Sequence, residues 1–322
     1  MDISILIVNY HSAAMVADCI RSVRDKTEGL TYEIIVVDNA SGDGSVEALR
    51  RDFGDSITLI PSETNLGFGK ANNLAAKQAV GKYLFLLNPD TLLINNAIKT
   101  LFDYLEANPS VGVAGGNLYA PDMTPAPSFC LHFDELKRER RAASWGAILG
   151  GKVRDKLIRR SRPLKEFNHT DKPLPVAYIF GADMLLSRRV FEEVGGFDPA
   201  FFMYGEEEEL TRRIVHRGYG VICLPDAKII HLEGATLKAS NAFSEKQFKM
   251  RMHGALTYYT LCFGRAGAEA FYRLRGKRYD RLTALAKVQG KLTDDTVSYR
   301  QRQYLDEVYQ AFTLQKGGAS HG

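Results

Sequence analysis

The first hundred residues alternate between two hydrophobic periods, and that alternation limits the fold more than any other feature of the chain. "ISILIVN", "YEIIVVDN", "SITLIPS" and "KYLFLLNPD" are short, β-rich runs with few polar positions. Between them, "HSAAMVADCIRSVRDK" sets Met15, Cys19, Ile20 and Val23 at helical spacing. Gly44 to Arg51 reads as a second helix and "GKANNLAAKQAV" as a third. Strands that are apolar on both faces and separated by helices imply a parallel sheet covered on both sides. The expected class is α/β, a doubly wound, mixed but mainly parallel sheet.

After "VGVAGGNLY" the pattern loosens. Residues 120–172 carry prolines and the basic run "LKRERRAA", and predict a long loop excursion. Order returns with "VAYIFGADMLLSRRVFEEVGGFD", and "YGVICLPDAKIIHLEG" reads as a pair of strands. From about residue 240 the spacing is helical, and the tail "KGGASHG" reads as disordered. The expected division is a sheet domain over 1–239 and a helical extension over 240–322.

Of the 322 residues 45% are hydrophobic and 25% charged, ordinary for a globular protein with a real core. A net charge of +4 indicates neither a nucleic-acid binder nor a disordered chain, although the C-terminal third is basic. Cys19, Cys130, Cys223 and Cys262 are far apart and form no C-x-x-C pair, which suits a reducing compartment rather than a zinc site or disulfide scaffold. "MDISILIVNY" lacks the form of a signal peptide, and no run approaches the roughly 18 apolar residues that span a bilayer. The expected location is cytoplasmic, with peripheral attachment at the inner membrane face left open.

Ligands of doubly wound sheets bind beyond the C-terminal strand ends. Those ends carry Asn9 and Tyr10, then Asp38, Asn39 and Ser41, then Asn65, Gly67 and Gly69, then Asn88 and Asp90. Together they suit a base, a ribose and phosphates. Singly, each has an ordinary alternative: Asp38-Asn39 before "SGDGS" also fits a turn and helix cap, and Asn88-Pro89-Asp90 a plain turn. "GFGKAN" lacks the third glycine of a dinucleotide fingerprint and belongs to the third unit, which argues against an NAD-dependent oxidoreductase.

"VNYHS", "VVDNASGDGS", "NLGFGKANN", "LLNPDT", "FGADMLLSRRVFEEVGGFD", "FFMYGEEEEL" and "PDAKIIHLEG" occur in the order seen in family-2 inverting glycosyltransferases. The chain resembles most the branch described as rhamnosyltransferases, over about residues 2–235. The resemblance implies a GT-A fold, a dTDP- or UDP-linked sugar donor and a divalent cation, Mn2+ or Mg2+. It implies a base pocket at Asp38 lined by Asn9 and Tyr10, with Asn65, Gly67 and Lys70 near ribose and diphosphate. By the same matching Asp90 and His231 bind the metal, while Gly181, Ala182 and Asp183 line the donor-sugar pocket. Asn88 stands where many relatives have an aspartate; its amide can bond ribose or a metal-bound water without adding charge. The acceptor implied is a saccharide or lipid-linked saccharide of cell-surface polysaccharide synthesis, not a nucleic acid.

"EEEEL" fills the place of the family's Glu-Asp-x-Asp-Leu. Inverting transfer needs a carboxylate that takes the acceptor hydroxyl's proton during attack. By alignment that base is Glu207, with Glu206 holding acceptor hydroxyls. Glu208 and Glu209 read as a solvated, dipole-stabilised helix start, paired four residues on with Arg212 and Arg213. A non-catalytic nucleotide-sugar-binding protein is the alternative reading. The mixture of Lys and Arg with Phe, Tyr and Leu over residues 240–290 fits an anionic membrane surface, or equally a helical cap.

Overall fold

The computed structural model describes residues 1–150, 164–232, 244–293 and 296–317. The chain forms two units: Met1–Phe133 with Pro163–Phe202 and Glu206–Asn241, and Asp134–Arg162 with Met203–Gly205 and Ala242–Gly322.

The first unit is built on a nine-stranded sheet. Strands β1 (Ile3–Asn9), β2 (Tyr32–Asp38), β3 (Thr58–Pro61) and β4 (Tyr83–Leu87) form its parallel half, in the order β3-β2-β1-β4. Helices α1 (Ala13–Lys26), α2 (Ser45–Phe53) and α3 (Phe68–Ala76) make the crossovers. Because side chains alternate across a strand, an apolar run feeds two cores at once. Ile3, Ile5 and Ile7 join Val16, Ile20, Ile34 and Val36 on one face. Leu6 joins Ile35, Val37, Ala71 and Ala75 on the other.

Beyond β4 the pairing is mixed. After β5 (Thr91–Leu93) and helix α4 (Ala97–Ala107) comes β6 (Val111–Tyr119). Later come, in chain order, the short β7 (Phe129–Cys130), β8 (Leu174–Pro175) and β9 (Tyr178–Ile179), then β10 (Asp183–Ser187) and β11 (Gly220–His231). The order continues β4-β10-β6-β11-β5, with β10 antiparallel to both neighbours and β8 pairing β11. The expected strand pair at residues 219–234 is instead one strand. Its register on β6 shifts between Leu224 and Lys228, where Pro225 has no N–H for a ladder. That bulge let the segment read as two.

The excursion expected over 120–172 is ordered in part. β7 pairs β9, and Leu136–Ala142 is helix α5. Residues 151–163 of the excursion, and 318–322 of the expected tail, lie outside the described residues. In the second unit, α5 meets the C-terminal helices through Arg275, whose Nε donates to Glu139 at 3.0 Å in a largely buried ion pair. Helix α8 (Glu245–Val288) is broken at Gly264, whose φ of 71° is left-handed, so two helices run end to end. Tyr259 stacks on Phe271 at 4.6 Å, and Tyr272 stacks on Tyr309 of α9 (Val297–Gly317) at 3.9 Å. Among the described residues no helix is long and apolar enough to cross a membrane.

Candidate active site

The parallel pairing of β1 and β2 sets Asn9 opposite Asp38, so two strand-end residues meet because the register requires it. Asp38 is 2% exposed. Its Oδ1 accepts from Asn9 Nδ2 and from Ser41 Oγ, each at 2.6 Å, and its Oδ2 accepts from Ser41 N at 3.1 Å. One oxygen thus retains lone-pair capacity for a ligand N–H. Tyr10 stands 48% exposed beside the carboxylate's strand end. His11 and Ala40, the next residues along, hold left-handed φ of 54° and 61°, a conformation that costs non-glycine residues about 1–3 kcal/mol. The hydroxyl of Ser45 first, and His11 second, hold Asp43 down to about 2. A hollow of about 260 Å³ lined by His11, Met15, Asp43 and Ala48 opens beside this junction; neither Asp38 nor Asp90 lines it.

At the third strand end the amide oxygens are spoken for. Asn39 Oδ1 accepts from Leu66 N at 2.7 Å, Asn65 Oδ1 accepts from Gly67 N at 2.9 Å, and the Phe202 carbonyl accepts from Phe68 N at 3.1 Å. Gly67 has φ 78°, and a Cβ there would lie 2.0 Å from the Phe202 carbonyl oxygen. Its missing side chain therefore serves an approach to residue 202 and not only to a phosphate. Lys70, half-buried on the first turn of α3, has no ion-pair or hydrogen-bond partner among the described residues. A cation so placed is available to an anion at the helix start.

The fourth strand end assembles around β5. Thr91 pairs with His231 in the β5–β11 register, which brings His231 to Asp90 across 141 positions of sequence. His231 Nε2 lies 3.3 Å from Asp90 Oδ2, yet it is buried and makes no hydrogen bond among the described residues. An imidazole nitrogen and a carboxylate oxygen that converge without bonding each other suit a shared divalent cation. Among the described residues no group of three or more His, Cys, Asp and Glu is gathered. Asn88 lies alongside: its N–H donates to Ala182 O at 3.0 Å, and its carbonyl accepts from Thr91 Oγ1 at 2.7 Å. Cys19, 3.5 Å from that hydroxyl, has its thiol pushed up to about 12 by burial and is no nucleophile at neutral pH. Gly181 packs against Phe68, tying the expected donor-sugar segment to α3. Asp183 is fully buried: Oδ2 accepts from Gly116 N at 2.6 Å, Oδ1 has no partner among the described residues, and burial pushes its carboxyl well up.

Helix α6 (Arg188–Glu193) leads through a glycine turn to α7 (Glu206–His216), the acid helix. Its four glutamates are not alike. Glu206 is 2% exposed, and Glu208 and Glu209 are each 6% exposed; Glu207 alone remains half-open. The expectation of a solvated helix start is therefore corrected: Leu210 and Ile214 anchor α7 in the core and draw the flanking acids inward. Glu209 accepts from Arg213 Nε and Nη2, each at 2.7 Å, the i,i+4 pair expected. Arg212 instead lies over the Phe133 ring at 5.5 Å. Glu206 Oε2 is buried without a partner among the described residues, and burial, with Glu207 second, pushes that carboxyl well up. Tyr178 stacks on Phe133 with ring centroids 6.1 Å apart and lies on β9, which packs against α7. Sequence reading missed this packing, since an apolar β-run gives no sign of the helix it will meet.

Residues 4–195, well over half of the chain, match the model of glycosyl transferase family 2, and residues 161–234 match the N-terminal domain of galactosyltransferase. An N-acetylglucosaminyl-diphospho-decaprenol L-rhamnosyltransferase of Mycobacterium tuberculosis is 27% identical over 209 residues, 62% of this chain and 66% of that protein. A low-salt glycan biosynthesis hexosyltransferase of Haloferax volcanii is 27% identical over 216 residues, 66% of this chain and 61% of that protein. Among solved structures, a Pyrobaculum calidifontis mannosyltransferase in complex with GDP-Man and Mn2+ superposes with a TM-score of 0.57 at 14% identity, covering 98% of this chain and 87% of that one. GalNAc-T7 with UDP, GalNAc and Mn2+ gives the same score and identity over 95% of this chain and 54% of that one. The chain has the GT-A fold of these structures and belongs to glycosyl transferase family 2.

Proposed function

We propose that the chain is an inverting, cation-assisted glycosyltransferase that moves a hexose, rhamnose in the favoured reading, from a dTDP- or UDP-linked donor to a saccharide or lipid-linked saccharide. The observation that carries this reading is the sorting of the acid run: of four adjacent glutamates only Glu207 stays half-open. In this reading Glu207 removes the acceptor hydroxyl's proton as oxygen attacks the anomeric carbon, and the sugar–phosphate bond breaks on the opposite side. Glu206, whose carboxyl burial pushes well up, would hold acceptor hydroxyls instead of competing as a base. Asp38, Asn9 and Tyr10 hold the base of the nucleotide, Asn65 and Asn88 its ribose, and Lys70 the diphosphate. Asp90 and His231 would hold Mn2+ or Mg2+, which when bound neutralises charge on the departing diphosphate. Gly181, Ala182 and Asp183 border the sugar, Asp183 through its backbone because its side chain is fully buried. The named activity of the mycobacterial relative supports a rhamnosyl donor and a lipid-linked acceptor, and the basic helical unit supports work at an anionic membrane surface.

Calorimetric titration with dTDP, UDP, GDP and NAD, each with and without Mn2+, tests the site. The expected result is Mn2+-dependent binding of a pyrimidine nucleotide, weakened roughly 10–100-fold in Asp90→Asn. Absence of pyrimidine-nucleotide binding under every condition would overturn the reading.

A further inference from the structure

The third strand end and the acid helix lie far apart in sequence, yet one short segment is fastened to both. Residues 194–202 run between α6 and α7, and each fastening has a residue made for it. On the donor side Asn73, in the last turn of α3, clasps Phe197 from both ends: its Nδ2 donates to Phe197 O at 2.8 Å, and its Oδ1 accepts from Phe197 N at 2.9 Å. Gly196 makes the clasp reachable, since a Cβ there would sit 2.7 Å from Asn73 Oδ1, and its φ of 68° is open chiefly to glycine. Gly69 gives Phe197 its seat: a Cβ on Gly69 would lie 2.9 Å from that of Phe197. Five residues on, the Phe202 carbonyl caps Phe68 N at the start of α3, over Gly67.

On the acid side the fastening is Arg213. Its guanidinium is pinned by Glu209 on the same helix and donates onward to Val194 O and, at 2.8 Å, to Gly196 O. The segment that begins α7 is thus held to α3 by an amide and a carbonyl, and to α7 itself by a guanidinium. Glycines stand where side chains would block the contacts.

We infer that Asn73 is a positioning residue, coupling the nucleotide-binding start of α3 to the placement of Glu207 through residues 194–202. This rests on the nucleotide site proposed above. Occupation of the Asn65–Lys70 turn by a diphosphate would settle α3, and the clasp on Phe197 would pass that order to the acid helix. Asn73 touches no substrate in this account; it acts on the base through the chain.

Hydrogen exchange of the full chain, with and without Mn2+ and dTDP or UDP, tests the coupling. In the unaltered chain, amides of residues 65–72 and of 197–210 are both expected to slow on ligand addition. In Asn73→Ala the response of 65–72 should persist, while slowing at 197–210 should drop from roughly fivefold or more to less than about twofold. Asn73→Asp keeps the acceptor for Phe197 N and loses the donor to Phe197 O; it should fall between, and serves if the alanine variant does not fold. A melting temperature near that of the unaltered chain separates loss of coupling from loss of fold. Undiminished slowing at 197–210 in both variants would overturn the inference, as would no slowing there in the unaltered chain while 65–72 responds. If neither segment responds and calorimetry registers no heat, the nucleotide reading fails and the coupling fails with it.

Discussion

The two units of this chain have opposite charge. The sheet unit holds 18 Lys and Arg against 27 Asp and Glu, a net −9; the helical unit holds 24 against 11, a net +13. The overall +4 conceals both values. An acidic unit that takes a nucleotide diphosphate must supply local countercharge, and two features offer it: Lys70 at the start of α3, and the Asp90–His231 pair, which would gather a cation. The helical unit has positive charge to spare, with aromatic and guanidinium groups interleaved, as in Arg281 over Trp145 at 5.5 Å. The proposed function divides charge by role, with acids kept for positioned chemistry and bases for a diffuse anionic partner.

The most decisive challenge to that division neutralises one acid where chemistry is proposed. Glu207→Gln should lower transfer by at least about 100-fold while dTDP or UDP binding measured by calorimetry stays within about twofold. Retained turnover would remove Glu207 from the role and leave the acidic unit without its base. Less drastic is the matching change in the other unit. Binding to vesicles with anionic lipid should weaken roughly 10–30-fold in the double variant Lys287→Glu, Lys291→Glu, and should fall with added salt, while transfer to a soluble acceptor is unaltered. No sedimentation with anionic vesicles even at low salt would sink the membrane role.

A subtler change is expected at a buried acid with no proposed part in catalysis. Asp183 has its carboxyl raised by burial, so the folded state holds the proton more tightly than the unfolded one. Its contribution to stability is therefore fully present below the unfolded value near 3.8 and declines as pH rises towards the folded value. Asp183→Asn keeps an acceptor for Gly116 N and removes the titration. The fall in melting temperature between pH 5 and pH 8 should be shallower in the variant by a few degrees, on the order of 1 kcal/mol. An unchanged slope would mean that Asp183 ionises in place.

Much of the site was legible because strand ends in this architecture are where polar residues interrupt apolar runs. Asn9, Asp38, Asn65 and Asn88 are visible in that way, and the register of β1 on β2 brings the first two into contact. Gly67 was visible too, but only the structure shows that its empty side faces the Phe202 carbonyl. Asn73 gave no signal and Arg213 only its pairing with Glu209, since an amide and a guanidinium on amphipathic helices ordinarily face water. The long strand β11 misread as two because Pro225 mimics a turn locally, and pairing with β6 overrides it.

The layered α/β architecture, the polar strand ends and the family were all readable from the amino-acid order. Hydrophobic periodicity is a local property, and seven ordered motifs lie within it. Two outcomes came from the folded chain instead: which of four adjacent glutamates stays open, and that residues 194–202 are fastened to two helices. Those outcomes depend on burial and on contacts between distant positions, and neither is written in the spacing of neighbouring residues.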